Sequence, residues 1–260
     1  MEPLLTVYPV AKINLGLHIV GKRADGYHLL ETVFIPVPHL HDELSIYPTK
    51  GGDTPTLHCT GINLGGKAED NLIIKAWYLF KDKYPNLPAY HFELNKIIPA
   101  GAGLGGGSSD AAFVCNALNF LQGNVLSIHT LKEITSSLGA DVSFFLDPNP
   151  QFATGIGNVL TEIPIVLPGR IKVVLSPIHS NTKEAYNDLR YDLCHTDVDL
   201  YKSVLMPSST WKENIFNDFE PSIFQKYPLL AKVKSDLYAE GAVYASLSGS
   251  GSAVYGIFNA

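Results

Sequence analysis

A glycine-rich segment between two apolar runs constrains this chain more than any other feature. Residues 99–110 read Pro-Ala-Gly-Ala-Gly-Leu-Gly-Gly-Gly-Ser-Ser-Asp, with a strand-like run at 91–98 before them and a helix-like run from Ala111 after them. Glycine lets the backbone approach a ligand closely and adopt positive φ. A helix N-terminus adds free N–H groups and the positive end of a dipole. The order strand, glycine loop, helix therefore predicts a cradle for an anion, with a phosphate chain as the usual occupant.

Two better-known phosphate loops fit this segment poorly. A Walker loop requires Gly-x-x-x-x-Gly-Lys-Ser/Thr, and no lysine precedes Ser108. A dinucleotide fingerprint can be aligned from Gly101 to Gly106, but its helix should open inside the fingerprint and follow a βαβ start. We expect the helix here to begin only at Ser108, with Ser108 or Ser109 as N-cap. A flexible surface loop is the simple alternative, although flexible linkers are seldom so short and so tightly bracketed by apolar elements.

Composition restricts the class of protein. The 260 residues suffice for one large or two modest domains, and 46% of them are hydrophobic. A net charge of −6 with no basic block argues against a nucleic-acid surface. The cysteines Cys59, Cys115 and Cys194 are too widely spaced for a metal motif or a disulfide framework. Without a signal-peptide pattern or an apolar stretch near the ~20 residues of a membrane span, we expect a soluble, cytoplasmic protein.

The order of the predicted elements indicates an α+β protein. Period-2 alternation predicts a strand over 13–20, then a turn over 23–27 and a returning strand over 29–37. Further strands are predicted at 43–47, 56–60, 91–98, 171–175, 243–247 and 253–258. Helices are predicted at 72–80 with an N-cap from Asp70 or Asn71, and at 108–121, 131–138, 182–189 and within 211–240. We predict an N-terminal domain over residues 1–160 and a C-terminal domain over 161–260.

Three single residues have both a functional and a structural interpretation. Lys12 and Asn14 share one face of the first strand if Ile13 and Leu15 face the core. They could clamp a phosphate or a hydroxyl, but the segment alone favours a solvated lysine on an edge strand. Asp141 stands among apolar neighbours, where a carboxylate is either an N-cap or a buried functional group, and the N-cap is the simpler interpretation.

Two further segments are also ambiguous by themselves. Residues 25–28, Asp-Gly-Tyr-His, form either a turn or a pair, Tyr27 and His28, that could stack on and hydrogen-bond to a flat ring. Residues 246–252, Ser-Leu-Ser-Gly-Ser-Gly-Ser, form either a tight turn or a second ligand contact. The phosphate loop elsewhere in the chain favours the ligand contact.

Taken together, these segments resemble the GHMP kinases (galactokinase, homoserine, mevalonate and phosphomevalonate kinases). Residues 99–109 resemble the central phosphate motif of that family, and residues 248–251 resemble its third motif. The triple glycine followed by Ser-Ser-Asp-Ala-Ala is particular to one branch, with which four further segments agree: 11–15, 23–28, 70–73 and 138–142. The resemblance implies the two-domain fold of the family. Its N-terminal domain is ribosomal-protein-S5-domain-2-like and its C-terminal domain is a ferredoxin-like α/β domain.

The resemblance also implies an activity. That branch transfers phosphate from ATP, with Mg²⁺, to the 2-hydroxyl of cytidyl-diphospho-methylerythritol in the non-mevalonate route to isoprenoids. Asp141 would accept the hydroxyl proton. Lys12 would lie beside it, and a lysine within ~4–6 Å keeps a carboxylate ionised.

The binding residues are carried over in the same way. Contacts to ATP and its phosphates are implied for Asn71, Lys96, Pro99, Ala100, Gly101, Ala102, Gly103, Leu104, Gly105, Gly106, Gly107, Ser108 and Ser109. Ser108 is also the expected Mg²⁺ ligand, whereas Asp110 should point away from phosphate or act through the metal. Substrate contacts are implied for Asn14, Tyr27, His28, Tyr186 and Gly249, with Tyr186 on the other face of the cytosine. Residues 180–182, Ser-Asn-Thr, depart from the family's usual Val-Ser-Thr, which leaves contacts in that loop open.

Two other functions compete with this one. A homoserine or mevalonate kinase shares the motifs, but its substrate offers no base for Tyr27, His28 and Tyr186. A nucleotide-binding regulator with an inactive kinase fold would not need both Lys12 and Asp141. The expected partners are small molecules, with no nucleic acid and no membrane, and the expected state is a monomer or weak homodimer.

Overall fold

The computed structural model describes residues 2–49, 51–63, 65 and 67–260. Its strands are β1 Leu5–Val7, β2 Val10–Lys22, β3 His28–His41, β4 Glu43–Pro48, β5 Thr56–Gly61, β6 Tyr90–Lys96, β7 Gln151–Thr154, β8 Val159–Glu162, β9 Ile171–Val174, β10 Tyr244–Leu247 and β11 Val254–Ile257. Its α-helices are α1 Leu72–Lys83, α2 Gly106–Leu121, α3 Ile128–Thr135, α4 Val142–Phe145, α5 Thr182–Asn187, α6 Leu200–Leu205, α7 Trp211–Asn214, α8 Glu220–Lys226 and α9 Pro228–Ala239. Mixed helices and strands confirm the predicted α+β class.

The chain forms two compact units that are interleaved in sequence. One comprises Met1–Ala11, Val37–Ala100 and Gly105–Pro148, and the other comprises Lys12–Pro36, Gly101–Leu104 and Asn149–Ala260. The linear division into residues 1–160 and 161–260 stays a prediction about domains. The glycine-rich segment contributes to both units, because Gly101–Leu104 belongs to the second and Gly105 onward belongs to the first.

The first unit contains a four-stranded sheet in the order β1-β4-β6-β5. Strands β5 and β6 are parallel and are connected through α1, whereas the other pairs are antiparallel. Alternate residues of β6 are buried, as a half-buried strand requires. Helices α1 and α2 pack against each other. Asn71 caps α1 by accepting a hydrogen bond from the N–H of Ile73, which confirms the predicted N-cap.

The second unit contains the antiparallel sheet β10-β11-β9 and most of a sheet in the order β2-β3-β7-β8. Its core joins side chains of β2, α8, α9 and β10, among them Leu17, Ile223, Leu237 and Leu247. The predicted turn after β2 is confirmed, because the N–H of Arg23 donates to the carbonyl of Tyr27. This turn places Tyr27 and His28 at the start of β3.

Two helices, α2 and α3, start earlier than predicted. Helix α2 begins at Gly106 rather than Ser108, and its N-cap is Gly105 in the left-handed region at φ 70° rather than a serine. The helix therefore does open inside the glycine run, so our first reason for rejecting a dinucleotide fingerprint was wrong. A βαβ unit, β5-α1-β6, also precedes the loop, but the first strand after α2 is β7, which lies in another sheet. No parallel strand of the same sheet therefore completes a dinucleotide-binding unit at this loop.

Helix α3 lies three residues earlier than predicted, at Ile128–Thr135 instead of 131–138. It starts from Ser127, whose hydroxyl accepts a hydrogen bond from the N–H of Thr130, so a serine cap overrides the apolar spacing that placed the start at Leu131. Among the described residues, no helix is both long and apolar enough to cross a bilayer.

Candidate active site

Three carbonyl groups of the glycine-rich segment are hydrogen-bonded within the second unit. The carbonyl of Ala102 accepts from the N–H of Ala253 at 3.1 Å, and that of Leu104 accepts from the N–H of Lys12 at 3.0 Å. Between them, the carbonyl of Gly103 accepts from the Lys12 ammonium at 3.0 Å and from the Ser248 hydroxyl at 2.8 Å. Three successive acceptors are thus satisfied within the protein, which leaves the N–H groups as the polar groups that this segment can offer to an anion.

Lys12 and Asn14 lie together on one face of β2, as predicted. The Lys12 ammonium donates to Oδ1 of Asn14 at 2.6 Å, and the Asn14 amide donates to the hydroxyl of Thr32 at 3.0 Å. The alternative of a solvated lysine was wrong, because Lys12 is only 4% exposed although β2 lies at a sheet edge. Burying an ammonium demands hydrogen-bond partners, and Asn14 and Gly103 supply two of them.

The second glycine–serine segment, residues 246–252, includes the end of β10 and most of the turn to β11, and it also touches the predicted phosphate loop. A Cβ atom on Gly103, where φ is +74°, would lie 1.9 Å from the carbonyl oxygen of Ser248. A Cβ atom on Gly249 would lie 3.3 Å from Oδ1 of Asn14 and 3.4 Å from the Cα of Gly103. The predicted tight turn is therefore confirmed, and it brings Gly249 against Asn14 and Gly103. The predicted ligand contact of this segment stays a prediction.

Asn217 and Asp218 brace this arrangement. The buried Asn217 amide donates to the carbonyls of Leu247 and Gly249, both at 2.9 Å. The neighbouring Asp218 carboxylate accepts from the N–H of Ile19 on β2 at 2.7 Å. Adjacent residues therefore hold the Gly249 turn and the strand that carries Lys12 and Asn14.

The first N–H groups of α2 have no acceptor within the helix. The first intrahelical bond runs from the N–H of Ser109 to the carbonyl of Gly105, so the amides of the residues before Ser109 point out of the helix end. Ser108 is half-buried, and its hydroxyl lies 3.7 Å from where a Cβ atom on Gly139 would be. The predicted phosphate contact of Ser109 has no exposed group to make it in this conformation, because its side chain is fully buried.

A buried charge cluster of Lys96, Asp42 and Asp110 lies beneath the start of α2. The Lys96 ammonium is 2.5 Å from a carboxylate oxygen of Asp42 and 2.6 Å from one of Asp110, and all three side chains are at most 2% exposed. A Cβ atom on Gly106 would lie 3.0 Å from this ammonium, so a side chain there would press on the cluster. Asp110 pairs with Lys96 in a buried position, and the expectation that it points away from phosphate stays a prediction. The predicted contact of Lys96 with ATP stays a prediction, and its ammonium is already paired with two carboxylates.

The cluster carries two carboxylates for one ammonium. Asp42 accepts two further hydrogen bonds, from the N–H groups of Ile97 and Ile98. Asp110 has one oxygen with no hydrogen-bond partner among the described residues. Burial raises the pKa of Asp110 to about 7, against the opposing attraction of Lys96.

Asp141 immediately precedes α4 and is half-buried. Its backbone is already helical, at φ −78° and ψ −12°, and its side chain makes no capping hydrogen bond. Asp141 therefore occupies the N-cap position of α4, as the simpler interpretation predicted. That interpretation was wrong about the side chain, because the carboxylate does not accept a hydrogen bond from the helix. Asp141 and Ser108 both belong to the first unit, and Gly139, two residues before Asp141, lies close to the Ser108 hydroxyl.

Aromatic rings gather at the start of β3. The ring of His28 stacks on that of Tyr186, with centroids 4.6 Å apart and planes at 15°. Tyr186 packs edge-on against the buried Phe219, with centroids 4.9 Å apart, and Nε2 of His28 is hydrogen-bonded to the hydroxyl of Tyr191. Tyr27 is 61% exposed. Rings as close as His28 and Tyr186 leave no space for a base between them. The predicted contacts of Tyr27, His28 and Tyr186 with a cytosine stay predictions.

Asn71 lines a cavity of about 400 Å³ in the first unit. Its walls come from β5, the residues that follow β5 and the turn before α1, and include Cys59, Ile62 and Lys67. Volumes of about 300–1,000 Å³ are usual for small-molecule sites. The cavity is therefore large enough for a flat heterocycle.

Several of these residues were not found from the sequence. Asp42 lies far along the chain from Lys96, and Asn217 and Tyr191 belong to no motif that we identified. For Asn217, the available sequence signal is the order Asn217-Asp-Phe-Glu220. Hydrogen-bonding or aromatic side chains occupy the three positions before α8 and its first position, Glu220.

Comparison with known proteins shows which family the chain resembles. The model of the GHMP kinase N-terminal domain matches residues 71–147, and that of the GHMP kinase C-terminal domain matches residues 207–260. A 4-diphosphocytidyl-2-C-methyl-D-erythritol kinase of Bacteroides thetaiotaomicron is 44% identical over 256 residues, which cover 98% of this chain and 92% of the relative. A protein of the same name from Chlorobium luteolum is 40% identical and covers 98% of this chain and 89% of the relative.

Solved structures agree with the sequence comparison. A crystal structure of a 4-(cytidine 5'-diphospho)-2C-methyl-D-erythritol kinase superposes with a TM-score of 0.83 at 31% identity, covering 97% of this chain and 90% of the other. A homoserine kinase from Cytophaga hutchinsonii superposes with a TM-score of 0.69 at 16% identity, covering 100% and 87%. The second likeness concerns the fold alone.

The raised pKa of Asp110 predicts a pH-dependent stability. Folding raises this pKa, so the folded state binds the proton more tightly than the unfolded chain, whose pKa is about 3.9. The free energy of unfolding should therefore fall as pH rises from about 4 through 7. Asp110→Asn should remove this part of the dependence, measured by urea unfolding between pH 5 and 8.

Asp82→Asn provides the matched control, because Asp82 is an exposed carboxylate on α1. We expect its pH profile to follow that of the wild type. If the Asp110→Asn profile also runs parallel to the wild type, the carboxyl of Asp110 does not change its proton affinity on folding.

Proposed function

The chain belongs to the GHMP kinases, in the branch of the 4-diphosphocytidyl-2-C-methyl-D-erythritol kinases, and on that premise we propose that it phosphorylates the 2-hydroxyl of 4-diphosphocytidyl-2-C-methyl-D-erythritol with ATP. This reaction is a step of non-mevalonate isoprenoid biosynthesis. One observation supports the proposal most: the Gly103 carbonyl joins Lys12 and Ser248, next to Asn14 and Gly249. Three predicted site residues, Lys12, Asn14 and Gly249, thus lie at Gly103 of the predicted phosphate loop.

The phosphate chain of ATP would bind to the N–H groups of the glycine-rich segment and of the first turn of α2. The carbonyls of Ala102, Gly103 and Leu104 are paired within the protein, so the amides are the groups that a phosphate can reach. The dipole of a 16-residue helix adds positive potential at the same end. Phosphoryl transfer depends mainly on positioning and electrostatic stabilisation of this kind.

Mg²⁺ fits the donors present. It prefers oxygen ligands, and it usually takes one or two from the protein and the rest from phosphates and water. The Ser108 hydroxyl at the start of α2 would hold it, and no cluster of three acidic, histidine or cysteine side chains occurs in the described residues that would bind it independently of ATP. When bound, the ion neutralises charge on the phosphates.

We assign the adenine to the 400 Å³ cavity that Asn71 lines. The side chain oxygen of Asn71 caps α1, which fixes the orientation of its amide at the cavity wall. Lys96 would contribute by holding the end of β6 and the start of α2 together through Asp42 and Asp110. Its role would then be to support the loop rather than to touch a phosphate.

Asp141 would accept the proton of the attacking hydroxyl. Its carboxylate makes no capping bond to α4, so helix capping does not explain its position. Lys12 would offset the negative charge that develops on the attacking oxygen, because its ammonium is buried and held by Asn14 and Gly103. Buried charges act through a lower effective dielectric than exposed ones, and their effect on a reacting oxygen is larger.

Tyr27, His28 and Tyr186 would bind the cytosine. The ring of His28 is fixed by Tyr186 on one face, and the exposed Tyr27 can cover a base that binds beside it. An aromatic cover together with an edge-on hydrogen-bonding group is a common way to recognise a flat base. Mevalonate and homoserine have no such base.

The proposal predicts the substrate. The purified protein should convert the cytidyl-diphospho alcohol and ATP to a phosphorylated product and ADP, with ³¹P NMR showing a new phosphate ester on the oxygen of the 2-hydroxyl group. Mevalonate and homoserine should give turnover at least about 100-fold lower, because neither has a base to contact Tyr27, His28 and Tyr186. Preference for mevalonate or homoserine, or ATP binding without turnover on any of the three, would contradict the proposal.

A second prediction concerns Asp141. The Asp141→Asn side chain keeps the size of the carboxylate but cannot accept the proton, so kcat should fall about 10²- to 10⁴-fold, while the KM for ATP changes little. Steady-state kinetics measure both. Asp53→Asn, at an exposed position, should retain wild-type kcat; near-normal turnover by Asp141→Asn would exclude Asp141 as the base.

A further inference from the structure

Two tyrosines determine how the ring of His28 is held. Tyr186 stacks on one face of the ring, and the hydroxyl of Tyr191 is hydrogen-bonded to Nε2, with the rings of His28 and Tyr191 5.9 Å apart. The other ring nitrogen, Nδ1, makes no hydrogen bond to any part of the chain that the structure describes. His28 therefore has one occupied nitrogen and one that can meet a ligand.

The chain around Tyr191 fixes this tyrosine in a single turn, Tyr191–Leu193. The carbonyl of Tyr191 accepts from the N–H of Cys194, and the preceding Arg190 forms an ion pair of 2.8 Å with Asp192 across the turn. The turn follows α5, which carries Tyr186. Both tyrosines that contact His28 thus come from one short stretch of chain.

The chemistry of the two partners gives the direction of the hydrogen bond. A neutral imidazole has one N–H and one nitrogen lone pair, and a phenol can donate or accept. The imidazole lone pair is much the stronger base of the two acceptors, so the bond in which the Tyr191 hydroxyl donates to Nε2 is favoured over its reverse. Burial and the nearby Lys22 both lower the pKa of His28, consistent with a neutral ring. The single proton of the ring then lies on Nδ1.

A proton on Nδ1 distinguishes the two common pyrimidines. Cytosine offers acceptors at N3 and O2, whereas uracil carries a hydrogen on N3. An Nδ1–H donor would hydrogen-bond to N3 of cytosine and would meet the N–H of uracil. Two N–H donors that face each other lose water without gaining a hydrogen bond, which is unfavourable. A contact of this kind would reject the uracil nucleotide in favour of the cytosine nucleotide.

We propose that Tyr191 is a specificity-determining residue, which holds His28 in the Nδ1–H form and thereby favours cytosine over uracil in the substrate. This inference rests on the proposed function, because it requires that His28 faces the base. Tyr191 acts through His28 and is a positioning residue. Its sequence signal is weak: an aromatic residue five positions after Tyr186.

The test uses Tyr191→Phe, which keeps the ring and removes the hydroxyl. Calorimetry with cytidine diphosphate and uridine diphosphate measures binding without turnover, so its outcome is separate from that of the kinase assay. Tyr78→Phe is the control, because Tyr78 is an exposed tyrosine on α1, in the other unit. ¹⁵N NMR of the imidazole nitrogens reads the tautomer directly, with the His28 signals assigned by their loss in His28→Gln.

The wild type should show the Nδ1–H form of His28 and bind cytidine diphosphate more tightly than uridine diphosphate. Tyr191→Phe should shift His28 toward the Nε2–H form, weaken cytidine diphosphate about 2- to 12-fold, and leave uridine diphosphate unchanged or tighter. An Nε2–H form in the wild type would overturn the inference. Equal weakening of both nucleotides by Tyr191→Phe would also overturn it, because a purely structural role predicts that result.

Discussion

The carbonyl oxygen of Gly103 is the point on which the candidate site depends. It accepts hydrogen bonds from the ammonium of Lys12 and from the hydroxyl of Ser248, and so connects β2, the glycine-rich segment and the turn between β10 and β11. A buried ammonium is stable only with such partners. The same contact that satisfies Lys12 holds the Gly103 carbonyl within the protein, and the neighbouring carbonyls of Ala102 and Leu104 are also hydrogen-bonded there. One hydrogen-bonded oxygen therefore relates the predicted catalytic lysine to the predicted phosphate cradle.

In the first unit, buried ion pairs support the part of the loop that leads into α2. There the cluster of Asp42, Lys96 and Asp110 joins the end of β6 to the first turns of α2 in a fully buried position. Buried ion pairs add little net stability, because desolvation offsets their attraction, but removing one partner leaves an uncompensated charge. Such a cluster enforces one arrangement at the place where the glycine loop enters the helix. Gly106 is small enough to let the ammonium approach.

The sequence predicted the α+β class, most strands and the family, because these depend on local periodicity and on contiguous motifs. It predicted that Lys12 and Asn14 share a face, since a strand has a period of two. It did not predict that Lys12 is buried, because the pattern of a strand shows its faces and not what covers them. The start of α2 was placed two residues late because glycine is a poor helix former, whereas here positive φ at Gly105 allows the helix to begin directly after the loop. Asp42 and Asn217 were missed because their partners are remote in sequence.

The dependence of the site on the contacts of Gly103 is tested most directly by comparing kcat/KM for the ATP-dependent reaction in Gly103→Ala and Gly123→Ala. Both glycines have positive φ, +74° and +84°, but a Cβ atom on Gly103 would overlap the Ser248 carbonyl, whereas Gly123 has open space around it. Each variant should lose about 1–2 kcal/mol of stability from backbone strain. We predict that Gly103→Ala, measured where it is still folded, loses most of its kcat/KM while Gly123→Ala retains it. Wild-type kcat/KM in folded Gly103→Ala would contradict the account.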